Sequence, residues 1–228
     1  MKVKACIYTD AGTKSKINRD AALVKVAATR ELGRISFVAV CDGGAMGAKG
    51  EVASCMVIRS LETWFHEELP LLVSLSEEKL MDTIEKSWKR LYRSIRVELD
   101  RYGRHRKVSP FSTLTALLQI GKRYLYMNVG NSRIYLTDRG DMSMIDVPCQ
   151  QEKELTFVRG SFNRNTTVVA CSDGFFNRLD TREIYQKLCP QMCVSASDML
   201  GQCRKLAMRA MDKKEEDNIS VAALSLEF

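Results

Sequence analysis

Residues 35–44 read ISFVAVCDGG, an uncharged run of seven residues that stops at an aspartate and two glycines. A short run rich in β-branched and aromatic residues, closed by glycine, predicts a buried strand over 35–41 with Asp42 at its end. Three more aspartates stand at the ends of apolar runs. Asp20 precedes ALVKVAA (22–28), Asp173 follows TVVAC (167–171), and Asp217 precedes ISVAALSL (219–226). If these strands pack side by side, four carboxylates converge on one rim.

Outward from that set, VKACIY (3–8) reads as a further strand, joined to 22–28 by a polar loop from Thr9 to Arg19. From Glu51 to Phe65, apolar residues cover most of a helical circumference, which predicts a helix packed on more than one side. Ile84, Trp88, Leu91, Ile95, Leu99 and Tyr102 recur at spacings of 4, 3, 4, 4 and 3, the stripe of a long amphipathic helix. Its other face carries Lys86, Lys89, Arg90, Arg93 and Arg96, read as a solvated face in preference to a docking surface. Segments 113–120, 123–129 and 132–137, separated by Gly121-Lys122 and Gly130-Asn131, predict an antiparallel meander. A last helix carries Met199, Cys203, Leu206 and Ala210 on one face, with Ser197 or Asp198 as its cap. Strands, helices, strands, helices and a final strand give an α+β class, with two antiparallel sheets and helices packed outside them. No repeat or linker divides the chain, so one domain over 1–228 is expected.

The 228 residues are 45% hydrophobic and 28% charged, which excludes a disordered or collagen-like chain. A net charge of +7 favours anionic partners at long range. A nucleic-acid-binding role for the basic 86–107 segment ranks last, because no aromatic residues interleave with its basic ones. Neither a secretory leader nor a membrane-spanning run is present, so a cytoplasmic protein without a membrane span is expected. Eight cysteines lack any Cys-x-x-Cys pair; Cys41, Cys55 and Cys171 are read as reduced core residues. Cys189 and Cys193 are spaced to share a helix face, but neither histidine, His66 or His105, lies near enough in sequence to complete a zinc site.

Four carboxylates on one rim cannot all stay ionised without cations. Oxygen-only ligation suits Mg²⁺ or Mn²⁺, and two such ions about 3.5–4 Å apart activate water and clamp phosphoryl oxygens. The implied chemistry is phosphate-ester hydrolysis. Each aspartate alone has a plainer reading, since Asp-Gly is a common turn dipeptide and Asp217 follows two glutamates.

These residues fall in blocks whose order resembles the metal-dependent serine/threonine phosphatases of the PP2C (PPM) type, particularly compact bacterial ones. The blocks are Tyr8 to Gly12 with Asn18 to Ala21, Phe37 to Gly43 with Ala48 to Ser54, Ser112 to Leu118 with Asn128 to Leu136, Val169 to Phe175, and Asp217 to Val221. The resemblance implies a four-layer αββα sandwich and hydrolysis of phosphoserine or phosphothreonine by a water bridging two Mg²⁺ or Mn²⁺ ions. It implies Asp42 as the bridging carboxylate, the Gly43 carbonyl on the second ion, Asp173 and Asp217 on the first, Asp20 orienting water, and Asn218 fixing the loop that presents Asp217. It also implies a phosphoprotein substrate, a cognate serine/threonine kinase and a monomer.

The chain departs from the family pattern at several positions. Asn131 stands where an aspartate helps hold a third, weaker metal, so an ion there should bind more poorly. Ser15 stands where an arginine usually clamps the substrate phosphate, which leaves Lys14, Lys16 and Arg19 as candidates. The Gly44 to Gly47 loop carries Ala45 and Met46, and the flap of larger relatives is mostly missing. These changes make a non-catalytic PP2C-like binding module the main competing reading.

Overall fold

The computed structural model describes residues 1–46, 49–74, 77–145 and 154–228. The chain begins with strands β1 (Lys2–Asp10), β2 (Asp20–Thr29) and β3 (Gly33–Met46). Helix α1 (Gly50–Thr63) runs into a π-helical turn (Trp64–Glu68), the short α2 (Leu69–Leu72) and the 30-residue α3 (Glu77–Arg106). Strands β4 (Ser109–Ser112), β5 (Leu114–Ile120), β6 (Arg123–Val129), β7 (Arg133–Thr137), β8 (Met142–Met144), β9 (Thr156–Ser161) and β10 (Thr166–Cys171) follow. Helices α4 (Asp173–Phe176), α5 (Thr181–Leu188) and α6 (Ala196–Asp212) lead to β11 (Ile219–Glu227).

The strands form two antiparallel sheets, ordered β1-β11-β10-β7-β8 and β2-β3-β5-β6-β9, with β4 added beside the end of β3. The ISFVAVC run explains why the sheets are covered on both faces. Val38 and Val40 face the opposing sheet, with Leu117, Val168, Ala170 and Leu224. Phe37, Ala39 and Cys41 point the other way, under α1 and α3, against Trp64 and Trp88. The second sheet repeats the device, with Val169, Cys171, Val221 and Ala223 under α4 to α6. Strands with two buried faces need no polar alternation, which is why they read as continuous apolar runs. The architecture is the expected αββα sandwich.

Four details differ from the sequence expectation. The three-strand meander is a hairpin only: β6 pairs with β5 and β9, while β7 pairs with β10 and β8 in the other sheet. Both edges of β6 are occupied, and Gly130, at φ 96, turns the chain across. Helix α1 buries one stripe, Ala53, Ser54, Val57, Ile58 and Leu61, and leaves Cys55 exposed. The cap of α6 is Ser195, whose Oγ accepts from the Asp198 amide at 3.0 Å, so Ser197 and Asp198 lie in the first turn. Cys189 ends α5 in an extended conformation ahead of Pro190, so Cys193 shares no helix face with it. Cys149, Gly47 and part of the stretch where a shortened flap is expected lie outside the described residues.

Candidate metal centre

Asp42 is not at a turn. Strand β3 continues through it to Met46, exchanging β5 for β4 as its partner. At the changeover Thr113 holds Asp42 from both sides: its amide donates to the Asp42 carbonyl at 2.9 Å, and its Oγ1 accepts from the Asp42 amide at 2.8 Å. Asp20, the first residue of β2, lies directly opposite Asp42 in the antiparallel register. Directly opposed like charges repel unless something intervenes.

The other two carboxylates arrive from the second sheet. Asp173 opens α4 just past β10, and Asp217 immediately precedes Asn218 and β11. The two sheets are tied at this rim by Ser172, whose Oγ donates to Asp20 Oδ2 at 2.7 Å and accepts from the Ser220 amide at 3.0 Å. Asn218, 4% exposed, makes a second tie. Its Oδ1 accepts from the Arg19 amide at 2.8 Å, and its Nδ2 donates to the carbonyls of Ala11 at 2.7 Å and Ile17 at 3.2 Å. The 11–19 loop is thereby moored beside Asp217. Gly12, at φ 70, completes the fit, since a Cβ there would sit 2.1 Å from the Asp217 carbonyl oxygen.

Burial and neighbouring carboxylates raise the proton affinity of Asp20, Asp42 and Asp173. Burial, then the charges of Asp20, Asp173 and Asp217, push Asp42 up to about 8. Burial pushes Asp20 up to about 6 against the hydrogen bonds from Ser172 and Ser220. Asp173 is raised by burial and by Asp217, with the Asn131 amide opposing. Buried Asp20 Oδ1 and Asp173 Oδ1 have no hydrogen-bond partner, so each retains an unused acceptor in a desolvated, electron-rich place. A hard divalent cation with oxygen ligands fits that donor set. As the side chains stand, however, no three acidic, histidine or cysteine groups among the described residues are grouped closely enough to hold one ion. Three of the four carboxylates have one oxygen on a protein donor: Asp20 on Ser172, Asp173 on Asn131 Nδ2 at 3.0 Å, and Asp217 on the Asn218 amide at 2.8 Å. Ion binding therefore requires these side chains to turn, Asp173 away from Asn131 above all.

Gly43 follows Asp42 with its backbone packed against the start of α1. Its amide donates to the Arg19 carbonyl at 3.1 Å, and its carbonyl oxygen lies where a Cβ on Gly50 would stand, 2.0 Å away. A groove of about 1020 Å³ opens from Asp42 and Asp217 toward α3 and β4. Arg19 and Asn131 line it. Lys14 and Lys16 do not: the Lys14 ammonium lies 3.8 Å from Glu216, and Lys16 is exposed in the loop. Sequence reasoning assigned no role to Ser172 or Thr113. The only sign of either was a hydroxyl residue flanking an apolar run, which is too common to single out.

The sequence matches no family model and no curated protein. The structure, by contrast, is similar along its whole length to solved bacterial phosphatases. Serine/threonine phosphatase Stp1 from Staphylococcus aureus superposes with a TM-score of 0.76 at 18% identity, over 100% of this chain and 96% of that one. The Mycobacterium tuberculosis serine/threonine phosphatase PstP/Ppp gives 0.75 at 20% identity over 99% of both chains. The catalytic domain of PstP in complex with two manganese ions gives 0.74 at 19%, again over 99% of both. At these identities the likeness speaks for the backbone: the chain has the fold of the bacterial PP2C-type serine/threonine phosphatases, as the motif order implied.

Proposed function

We propose that this chain is a metal-dependent phosphoprotein phosphatase acting on phosphoserine or phosphothreonine. The observation that carries the reading is the rim itself, where four aspartates from two sheets meet with two buried oxygens unpartnered. Asp42, the Gly43 carbonyl, Asp173 and Asp217 would hold two Mg²⁺ or Mn²⁺ ions, with Asp20 positioned by Ser172 to orient water. When bound, the ions would supply the Lewis acidity that lowers the pKa of water and offsets phosphoryl charge. The chain's own residues do the rest. Thr113 and Ser172 fix the directions of Asp42 and Asp20, and Asn218 holds Arg19 on the groove wall, where its guanidinium can take a phosphate in bidentate fashion. The whole chain would work as one domain on a phosphoprotein made by a cognate kinase.

One observation favours the competing module without catalysis: Asn131 occupies an oxygen of Asp173 that an ion would need. Hydrolysis of a phosphothreonine peptide with Mn²⁺ and with EDTA decides, run beside calorimetric Mn²⁺ binding on the natural protein, Asp42→Ala and Asp173→Ala. Metal-dependent turnover lost in both variants supports the phosphatase. Metal binding without turnover supports the module.

A further inference from the structure

The groove that leaves the carboxylate rim is larger than a phosphorylated side chain needs, since sites for whole small ligands span about 300–1,000 Å³. Its floor is apolar, with Val57, Ile95 and Leu99 all under 5% exposed. One wall is the last turns of α3, and the other is β4, where the far end of the Phe111 ring, 56% exposed as a residue, sits against Gly44. Away from the rim the charge along this groove is lopsided. Apart from Asp42 and Asp217 at its rim end, its lining contributes the cations Arg19, Arg96 and Arg104 against the single anion Asp100. Arg19 and Arg104 form no ion pair among the described residues, and Arg96 donates to the Tyr92 hydroxyl at 3.4 Å and is held charged in part by Asp100, with no salt bridge to it. By contrast, Lys89 and Arg90, farther up α3, are paired with Glu85 and Glu68.

We infer that this groove is a specificity site that takes an acidic segment of the phosphoprotein substrate, in extended conformation, beside the phosphorylated residue. The inference rests on the phosphatase reading and adds the class of substrate. Arg96 and Arg104 are eight residues apart on one helix, hence about 12 Å along its axis. An extended peptide covers that distance in about four residues, and residues four apart point to the same side of it. Two substrate carboxylates at that spacing meet the two guanidinium groups. A carboxylate midway between them meets Asp100 instead, so spacing as well as charge is selected. Apolar side chains of the intervening residues have the exposed Phe111 ring to cover.

The test compares phosphothreonine peptides carrying two glutamates four residues apart, two alanines or two lysines, placed on either side of the phosphoresidue. Alongside, fluorescence anisotropy follows binding of the unphosphorylated diglutamate peptide, a readout that needs no turnover. The diglutamate peptide should have a kcat/KM about tenfold above the dialanine peptide on one side of the phosphoresidue, because two exposed charge contacts are each worth a few-fold. That preference should shrink as salt is raised. Arg96→Glu/Arg104→Glu should remove both the preference and the anisotropy signal. Arg96→Gln/Arg104→Gln gives the same loss without charge reversal. Arg93→Glu/Arg101→Glu, which makes the same change in net charge on the same helix outside the groove, should keep both. Equal turnover of all peptides, or equal loss in the Arg93/Arg101 variant, overturns the groove while leaving the phosphatase standing. Anisotropy binding that depends on Arg96 and Arg104, with no peptide hydrolysed, retains the acidic docking groove and removes the phosphatase.

Discussion

Gly43 and Gly50 touch backbone to backbone, and this contact fixes how β3 presents Asp42 beneath α1. An added Cβ at Gly43 would stand 1.9 Å from the Gly50 carbonyl oxygen and 2.8 Å from that of Arg19. An added Cβ at Gly50 would stand 2.0 Å from the Gly43 carbonyl oxygen. Close carbon-to-oxygen contacts are tolerated down to about 3.3 Å, so either substitution must part the two elements by about 1.4 Å. Overpacking of this kind costs about 1–3 kcal/mol. Parting also strains the Gly43 amide and Ser54 hydroxyl bonds to the Arg19 carbonyl, each worth about 1 kcal/mol. We therefore expect Gly43→Ala and Gly50→Ala each to lose about 3 kcal/mol. Because one separation relieves both clashes, the double variant should lose less than the sum, with a coupling of about 1–3 kcal/mol. Urea unfolding followed by the fluorescence of buried Trp64 and Trp88 measures all three. Gly121→Ala is the control, since nothing lies within 4 Å of its added Cβ and only its φ of +58 is unfavourable, at about 1–2 kcal/mol. Single losses no larger than the control's, or strict additivity in the double variant, would refute the reasoning.

Three other outcomes follow from the same geometry. Asn218→Ala strands the Arg19 amide and two carbonyls, so it should cost about 2–3 kcal/mol in denaturant and raise the KM for a phosphopeptide as Arg19 loses its mooring. In EDTA, stability should fall as pH rises: Asp20 at about 6 and Asp42 at about 8 bind protons in the folded state that an unfolded carboxylate, near 3.8, has already released. Their contribution is whole below about pH 4 and is lost through pH 8, which melting temperatures taken between those limits will show. Asp42→Asn should flatten that profile, raise metal-free stability at pH 8 by about 1 kcal/mol and abolish calorimetric Mn²⁺ binding.

The layers were legible because each central strand is buried on both sides, and ISFVAVC or TVVAC has no other way to be covered. The aspartates were legible because they punctuate those runs. What the sequence hid were relations between strands. Nothing in Gly130-Asn131 distinguishes a hairpin from a crossing, since that depends on β9 returning to occupy the free edge of β6. Asp42-Gly43-Gly44 has the composition of a turn and is instead extended, because β4 arrives from the far end of α3 to pair with it. Among the three phosphate candidates, charge alone could not choose. The mooring by Asn218, some two hundred residues away in sequence, puts Arg19 on the groove and leaves Lys14 beside Glu216.

The rim also shows why these carboxylates belong at a seam. Asp20 and Asp42 come from one sheet, and Asp173 and Asp217 come from the other, so their mutual repulsion acts to open the sandwich at this end. Ser172 and Asn218 make bonds that cross the opening and help hold it closed. A divalent ion bound between the sheets, as proposed, would reverse the sign of the interaction and turn this repulsion into a clamp. Ligand-linked stabilisation is about 2.7 kcal/mol at a hundredfold excess over Kd. Here that gain should grow with pH, because the protons that otherwise relieve the repulsion are the ones an ion displaces. On the proposed reading the rim is where like charges meet in the metal-free fold, and the hydrogen bonds of Ser172 and Asn218 hold its four aspartates at the seam.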